Sequence, residues 1–336
     1  MPKTTDRAVV ARRLREARRV LVVMHEAPDG DTTGSALGLA MALSKLGIAA
    51  QVLGPDPIIP PFHFLPGAAR ASTWRDLRPE TRYDVVVTVD CGEASRAGGM
   101  ERLRAAAPVL INLDHHISNS RFGDINWVDP AAVAVAELVM QLIDDFGLPL
   151  DEDLALPLYV SLATDTEGFR VGIEDGRVFR LAARLAEAGL DVRAIHRRLF
   201  EEEPLSSVRL KGWALQHIRR SPSGRLAWVA LTRQVAHRFQ VEPYESDGLI
   251  TLVRTIADVR LAIFFREEER GWVKVSLRSR PPLEARVLAE HLGGGGHTHA
   301  AAAKVRGRLQ AVGARTLELA AELYGEDARW TDSSIS

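Results

Sequence analysis

Four short apolar runs, three of them ending in polar residues, constrain this chain more than any other feature. "RRVLVVMHE", "IAAQVLGP", "YDVVVTVDCG" and "APVLINLDHH" lack the strict alternation of a strand with one wet face. Continuous hydrophobicity over about five residues marks strands buried on both faces, and such strands belong to parallel sheets covered by helices. The covering segments follow. "SALGLAMALSKLG" has helical periodicity with Gly47 as its stop, and "AVAVAELVMQLIDDFG", "DLALPLYVSLATDTEGF" and "DGRVFRLAARLAEAGL" read as further helices. The alternation predicts an α/β fold whose N-terminal part is a doubly wound parallel sheet.

A chain of 336 residues suits two domains. The pattern turns charged and less apolar from Asp191 ("RAIHRRLFEEEPLSS"), which predicts a first domain over 1–190, a connector over 191–206 and a second domain over 207–336. In the second part "GRLAWVALT" and "DVRLAIFFREEERGWVKVSLRSR" predict a smaller α+β domain with an antiparallel hairpin turning at Arg270 and Gly271. The basic N-terminal stretch reads as a surface helix leading into a strand, because its apolar run is too short for a signal peptide. No apolar run approaches the length of a membrane span, and a single cysteine, Cys91, leaves no internal disulfide. These features predict a cytoplasmic protein with Cys91 as a small buried hydrophobe. A net charge of −1 argues against the broad basic field of a protein that holds long nucleic acid, so any anionic ligand must be held by a local pocket.

In doubly wound sheets the ligand crevice lies beyond the carboxyl ends of the strands. Three of the four runs end there in chemistry: His25 with Asp29 and Asp31, then Asp90, then Asp114 with His115 and His116. Taken singly, each has an ordinary reading. "PDGD" is turn chemistry, "DHH" is a surface trio or a zinc fragment, and Asp165 is a helix cap. Their convergence on the predicted crevice makes the joint reading a metal site. Carboxylates suit Mn2+ and Mg2+, and imidazole shifts the preference toward Mn2+ or Co2+. His25, Asp29, Asp31, His115 and Asp165 are enough for two ions, with Asp90 placed to bridge them, and such a pair can clamp a phosphate and activate water against phosphorus. In the second domain "LGGGGHTHAAAAKV" offers glycines at 293–296 that let backbone N–H groups approach an anion, followed by a run that reads as a helix start. Ser276, Arg278 and Arg280 alternate in "VKVSLRSR", which places them on one strand face, and Arg suits bidentate phosphate contact.

The motifs "HEAPDGDTTGS", "VDCG", "DHH", "TDTEGF" and "GGGGHTHAA", in this order, resemble the DHH phosphoesterases that carry a DHH-associated C-terminal domain, and within them the oligoribonuclease and pAp phosphatase (nanoRNase) group. The resemblance runs from about Arg19 to Val305. It implies that His25 and Asp29 hold one Mn2+, that Asp31, His115 and Asp165 hold the other, and that Asp90 bridges. His116 would face the substrate and protonate or stabilise the leaving oxygen, with Asp114 orienting the loop behind it. Ser276 and Arg278 would contact substrate phosphates or base, Gly294, Gly295, Gly296 and His297 would contact phosphate, and the cleft would lie between the domains. The implied activity is cleavage of very short RNA or DNA oligonucleotides to mononucleotides and dephosphorylation of 3′-phosphoadenosine 5′-phosphate (pAp). The absence of room for an added single-strand-binding module agrees with short substrates. The competing readings are a RecJ-like exonuclease, a phosphodiesterase of cyclic dinucleotides or their linear products, and a nucleotide-binding regulator without turnover. The chain departs from the family pattern at Glu167, where a glycine is usual, at "AAVAVAE", where hydroxyl residues often open the helix, and at Ala302, where a glycine often stands.

Overall fold

The computed structural model describes residues 5–78 and 80–325. They form two compact units that divide between Glu202 and Glu203. In the first unit the strands are β1 (Arg19–Val23), β2 (Ala49–Gly54), β3 (Ser72–Thr73), β4 (Val85–Val89), β5 (Val109–Asp114) and β6 (Ile125–Val128). All pair in parallel, in the order β3-β2-β1-β4-β5-β6, the doubly wound arrangement expected. Side chains alternate between two cores: Val20, Val22, Val85 and Val87 face one, Leu21, Val23 and Val86 the other. Burial on both faces is the physical reason the runs are apolar throughout. The edge strands β3 and β6 have no such run and are not legible in sequence.

The helices of this unit are α1 (Thr5–Glu16), α2 (Gly30–Lys45), α3 (Met100–Ala106), α4 (Val135–Phe146), α5 (Glu152–Asp165), α6 (Arg177–Ala186) and α7 (Val192–His196). Helix α2 opens directly after the first polar cluster, with Asp29 as its cap: the Asp29 carboxylate accepts from the Thr32 N–H at 3.1 Å. It packs on α5 through Gly30, Gly34 and Gly38, spaced four apart on one helix face. A β-carbon at Gly34 would lie 2.1 Å from the Pro157 carbonyl oxygen, and one at Gly30 would lie 2.3 Å from Thr164 Oγ1. These helices touch backbone to side chain with no room for a methyl group. The stretch 191–206, expected as a connector, is mostly helical: Asp191 caps α7, Ile195 is buried in the first core, and a π-helical turn runs Arg197–Glu201. Its charges lie on the outward face, and the single buried isoleucine was too weak a pattern to read.

The second unit has α8 (Leu205–Gln216), β7 (Arg219–Arg220), β8 (Leu226–Leu231), α9 (Arg233–Phe239), α10 (Pro243–Ser246), α11 (Leu249–Arg254), β9 (Leu261–Glu267), β10 (Trp272–Ser279), α12 (Ala285–His291), β11 (Gly295–His297), β12 (Ala300–Arg306) and α13 (Leu309–Tyr324). Its sheet runs β11-β12-β10-β9-β8-β7, antiparallel except for β8 with β9. The hairpin of β9 and β10 turns at Arg270, which adopts φ 57°, and Gly271, as expected. The alanine run does not open a helix. It forms β12, paired with β10 on one side and β11 on the other, with Ala301 and Ala303 buried in the core. Alanine favours helix by propensity, but two completed hydrogen-bond ladders outweigh a preference worth less than about 1 kcal/mol per residue.

The glycine stripe of α2 predicts an inversion of the usual helix rule. Gly34→Ala should destabilise the first unit by about 1–3 kcal/mol through overpacking. Gly212→Ala, in the exposed interior of α8 with open space around the new methyl group, should stabilise the second unit by up to about 1 kcal/mol. Differential scanning calorimetry reads both; equal effects of the same sign would refute the close α2–α5 contact.

Candidate active site

The turn after β1, the ends of β4 and β5, and the C-terminus of α5 bring the polar clusters together. The order of the sheet reverses between β1 and β4, and His25 and Asp90 follow those two strands, at the switch point where doubly wound sheets bind ligands. His25 Nε2 lies 3.6 Å from Asp29 Oδ1 and 3.3 Å from Asp90 Oδ2. On the other side of Asp90, His115 Nε2 lies 3.5 Å from Asp90 Oδ1, 3.5 Å from Asp31 Oδ2 and 3.7 Å from Asp165 Oδ2. One oxygen of Asp90 therefore faces each histidine. Asp90 has φ 54°, a left-handed conformation that aspartate tolerates better than most residues, so the chain holds strain at this carboxylate.

His25, Asp29, Asp31 and His115 are held from behind. The Nδ1 of His25 bonds the Glu26 carbonyl at 2.6 Å, and that of His115 bonds the Ala132 carbonyl at 3.1 Å. A carbonyl only accepts, so both Nδ1 atoms carry protons and both Nε2 atoms face carboxylates, the tautomer that ligates a metal. Asp31 accepts from Ser161 Oγ at 2.5 Å, from Ser35 Oγ at 3.0 Å and from the Val135 N–H at 3.2 and 3.1 Å. The last contact explains the missing hydroxyl residues before α4: Ala134 offers no side-chain cap, and Asp31 from α2 supplies the acceptor for the helix N-terminus.

Charge is crowded here. Burial and Asp90 push the Asp31 carboxyl up to about 7. Asp165 is also driven well up, by burial and by Asp31 and Asp90, against the pull of His115. Burial and Arg96 oppose a charge on His25, but Asp29 and Asp90 outweigh them and raise it to about 9. Burial likewise opposes a charge on His115, and Asp165 and Asp90 win. Asp90 stays well below the usual carboxylate range despite burial because the His115 and His25 imidazoles face it. Asp90 Oδ1 is nevertheless buried without a hydrogen-bond partner among the described residues. His25, Asp29 and Asp90 form one group close enough to hold an ion, and Asp31, Asp90 and His115 form another. A shared carboxylate with an unsatisfied oxygen, ringed by nitrogen and oxygen donors, fits divalent cations.

His116 borders these groups, its Nδ1 2.8 Å from Asp114 Oδ1 and 3.4 Å from Asp90 Oδ1. Burial opposes its protonation, but the Asp114 hydrogen bond raises it. Asn119, Ser35 and Ser161 touch the acidic residues, Asn112 bonds Asn119, and all four were missed in the sequence, where isolated Asn and Ser carry no spacing signal. Cys91 is buried in the second core, its thiol pushed by burial up to about 12 and donating to the Glu93 carbonyl, as expected of an inert position. Glu167 has φ 49°, followed by Gly168 at 71° and Phe169 at 64°. A left-handed residue is where glycine is least strained, which gives the usual glycine at this place a backbone reason.

In the second unit, the sheet register aligns the other candidates. Ser276 pairs with Ala302, which pairs with Gly295; Arg278 pairs with Ala300, which pairs with His297. Both rows lie on the face opposite buried Ala301 and Ala303. The glycines have a packing role: a β-carbon at Gly294 would lie 2.1 Å from the Ala302 carbonyl oxygen, and one at Gly296, with φ 137°, would lie 2.7 Å from that of Ala300. Arg280 stands apart, bonded to the carbonyls of Ala257 and Arg254 at 2.9 Å each, and serves the loop after β10.

A doubly wound unit with carboxylate and imidazole groups converging at its switch point has the donor set of a divalent-cation site. Residues 19–162 match the DHH family, N-terminal domain, and residues 230–323 match the DHHA1 domain. The chain is 34% identical to the bifunctional oligoribonuclease and PAP phosphatase NrnA of Thermus thermophilus, over 86% of this chain and 84% of that one. It is 25% identical to the NrnA of Bacillus subtilis over 85% and 89%. A solved structure, an exopolyphosphatase-related protein from Bacteroides fragilis, superposes with a TM-score of 0.86 over 96% of this chain and 98% of the other at 24% identity, which shows the shared fold. The chain belongs to the DHH family of phosphoesterases, enzymes that use divalent metals. Among the described residues no helix is long and apolar enough to cross a membrane.

Ion loading should reverse the pH dependence of stability. Without ions, Asp31 and His25 have raised folded values, so their contribution is complete at acid pH and is lost as pH rises toward about 7 and about 9. Divalent ions must displace those protons, so the gain in Tm from Mn2+ over EDTA should grow between pH 5.5 and 8. A gain that shrinks over this range would exclude the cluster as the binding site.

Proposed function

We propose that this enzyme is a manganese-dependent phosphohydrolase that degrades short oligoribonucleotides to mononucleotides and removes a terminal phosphate from pAp. The observation that supports this most is Asp90, which presents one oxygen to each of two histidines at the sheet's switch point and keeps a buried oxygen unsatisfied. In this reading His25, Asp29 and Asp90 hold one ion, and Asp31, Asp90, His115 and Asp165 hold the other. When bound, the ions supply Lewis acidity to the phosphoryl oxygens and lower the pKa of an attacking water. The mixed nitrogen and oxygen donor set favours Mn2+ over Mg2+.

The chain's own contribution is proton transfer and grip. His116, held through Nδ1 by Asp114, presents Nε2 as the donor to the leaving oxygen. In the second unit, Arg278 and Ser276 engage substrate phosphate or base, while His297 with Gly294, Gly295 and Gly296 engages phosphate through side-chain and backbone donors. Ala302, between Ser276 and Gly295 in the register, lines this surface with a methyl group where a glycine often stands. Similarity to NrnA enzymes over most of the chain supports both substrates, and the near-zero net charge supports short ones.

Purified enzyme with Mn2+ should turn over pAp and an RNA dinucleotide rapidly and a long single-stranded DNA slowly. Preference for the long strand would replace this reading with a polymer exonuclease, and binding without turnover would indicate a regulator. Asp90→Asn, which keeps the shape and halves the ligand capacity, should reduce turnover by about 10³-fold or more; retained activity in Mn2+ would sink the two-ion assignment. Arg278→Ala should raise KM roughly tenfold with a smaller change in kcat, from the ~1.5–3 kcal/mol of a hydrogen bond to a charged group. Unaltered KM would remove Arg278 from the substrate surface.

A further inference from the structure

The Asp114 carboxylate is fully buried, and its two oxygens have separate duties. Oδ1 accepts from His116 Nδ1, and Oδ2 accepts from the Asn119 side-chain amide. The orientation of Asn119 is fixed by chemistry. Its Oδ1 lies 2.6 Å from the Arg121 N–H, which can only donate, so the NH2 group must face Asp114. The same NH2 group donates to Asn112 Oδ1 at 2.8 Å, and its nitrogen lies 3.2 Å from the Cys91 carbonyl.

Asn112 is fixed in turn. Its Nδ2 donates to the Cys91 carbonyl and to Thr88 Oγ1, each at 3.0 Å, so its own oxygen is the acceptor. Asn112 and Thr88 are fully buried on β5 and β4. The loop that carries Asn119 is tied to the segment after Asp90 by the Ser120 N–H and hydroxyl, which bond the Gly92 carbonyl at 2.9 and 3.0 Å. Both amides between the two central strands and His116 thus have one arrangement, and His116 Nδ1 has Asp114 Oδ1 at 2.8 Å as its nearer neighbour and Asp90 Oδ1 at 3.4 Å as its farther one.

We infer that Asn119 is a positioning residue for leaving-group protonation: by occupying Asp114 Oδ2 from the rigid sheet, it reserves Oδ1 for His116 Nδ1 and aims Nε2 of that imidazole at the leaving oxygen. The inference rests on the proposed role of His116 and extends it to a side chain that touches neither substrate nor metal candidates. Without the amide, the Asp114 carboxylate can rotate about its terminal torsion, and the imidazole loses its single orientation. Loss of a partner that orients an active-site group costs about 10–100-fold.

The experiment compares two leaving groups in Asn119→Ala, Asn119→Asp and His116→Ala, with the full-length enzyme in saturating Mn2+. An RNA dinucleotide expels a ribose alkoxide that needs a proton, whereas thymidine 5′-(p-nitrophenyl) phosphate expels a nitrophenolate that needs none. Both Asn119 variants should lose about 10–100-fold in kcat on the dinucleotide, with KM within about twofold, and far less on the nitrophenyl ester. Asn119→Asp keeps the size of the side chain and replaces the donating NH2 group with a carboxylate oxygen, adding a negative charge beside Asp114, so it carries the test at constant volume if the alanine variant folds poorly. Equal losses on both substrates, a loss confined to KM, or weakened Mn2+ binding by calorimetry would overturn the inference and leave Asn119 a structural residue. His116→Ala separates the two levels. If it fails to show the leaving-group split, the general-acid reading itself falls; if it shows the split and the Asn119 variants do not, only the positioning role falls.

Discussion

The site depends on how closely α2 can approach α5. Asp31 is on the first turn of α2, and Ser161 and Asp165 are on the last turns of α5. The Ser161 hydroxyl reaches Asp31, and Asp165 reaches His115, only because Gly30, Gly34 and Gly38 let the helices meet without intervening side chains. Close packing has discrete solutions, and a methyl group at the contact forces the helices apart by a distance comparable to a hydrogen bond's tolerance. A stripe of small residues running from Gly30, between Asp29 and Asp31, to Gly38 therefore sets the position of a carboxylate at the site's edge.

The second constraint is electrostatic. Asp29, Asp31, Asp90 and Asp165 converge with His25 and His115 where few other cations reach them, and in the ion-free protein protons must take part of the load. Burying like charges together costs stability, and the fold offsets part of it with hydrogen bonds from behind to His25, Asp29, Asp31 and His115. The backbone contributes as well: Asp90 is held left-handed at the end of β4, and the loop after Asp165 carries three consecutive left-handed residues. Strain concentrated where binding groups converge is the pattern of a site arranged for a ligand that the free protein does not satisfy.

Much of this was legible in the residues. The strands buried on both faces announce themselves as unbroken apolar runs, and once the sheet is doubly wound the polar residues at strand ends must share one edge. That brought His25, Asp29, Asp31, Asp90, Asp114, His115 and His116 together before any coordinate was known. Three features were not legible. The alanines at 300–303 favour helix locally and become strand because β10 and β11 satisfy their backbone on both sides. Ile195 packs a segment whose charge pattern suggests a connector. The Asn112, Asn119 and Ser161 contacts join residues 5 to 130 positions apart, and isolated polar residues leave no periodic trace.

The sequence by itself determined which residues can do chemistry and which edge of the sheet they occupy, because strand burial and strand-end position follow from local hydrophobic pattern. Only the tertiary structure decided which oxygen faces which histidine, which tautomer each imidazole adopts and what holds each carboxylate. Those depend on ångström-scale packing between helices and on hydrogen bonds across distant segments. Hydrophobic pattern is a property of neighbours along the chain, whereas the satisfaction of a buried polar group is a property of everything that surrounds it.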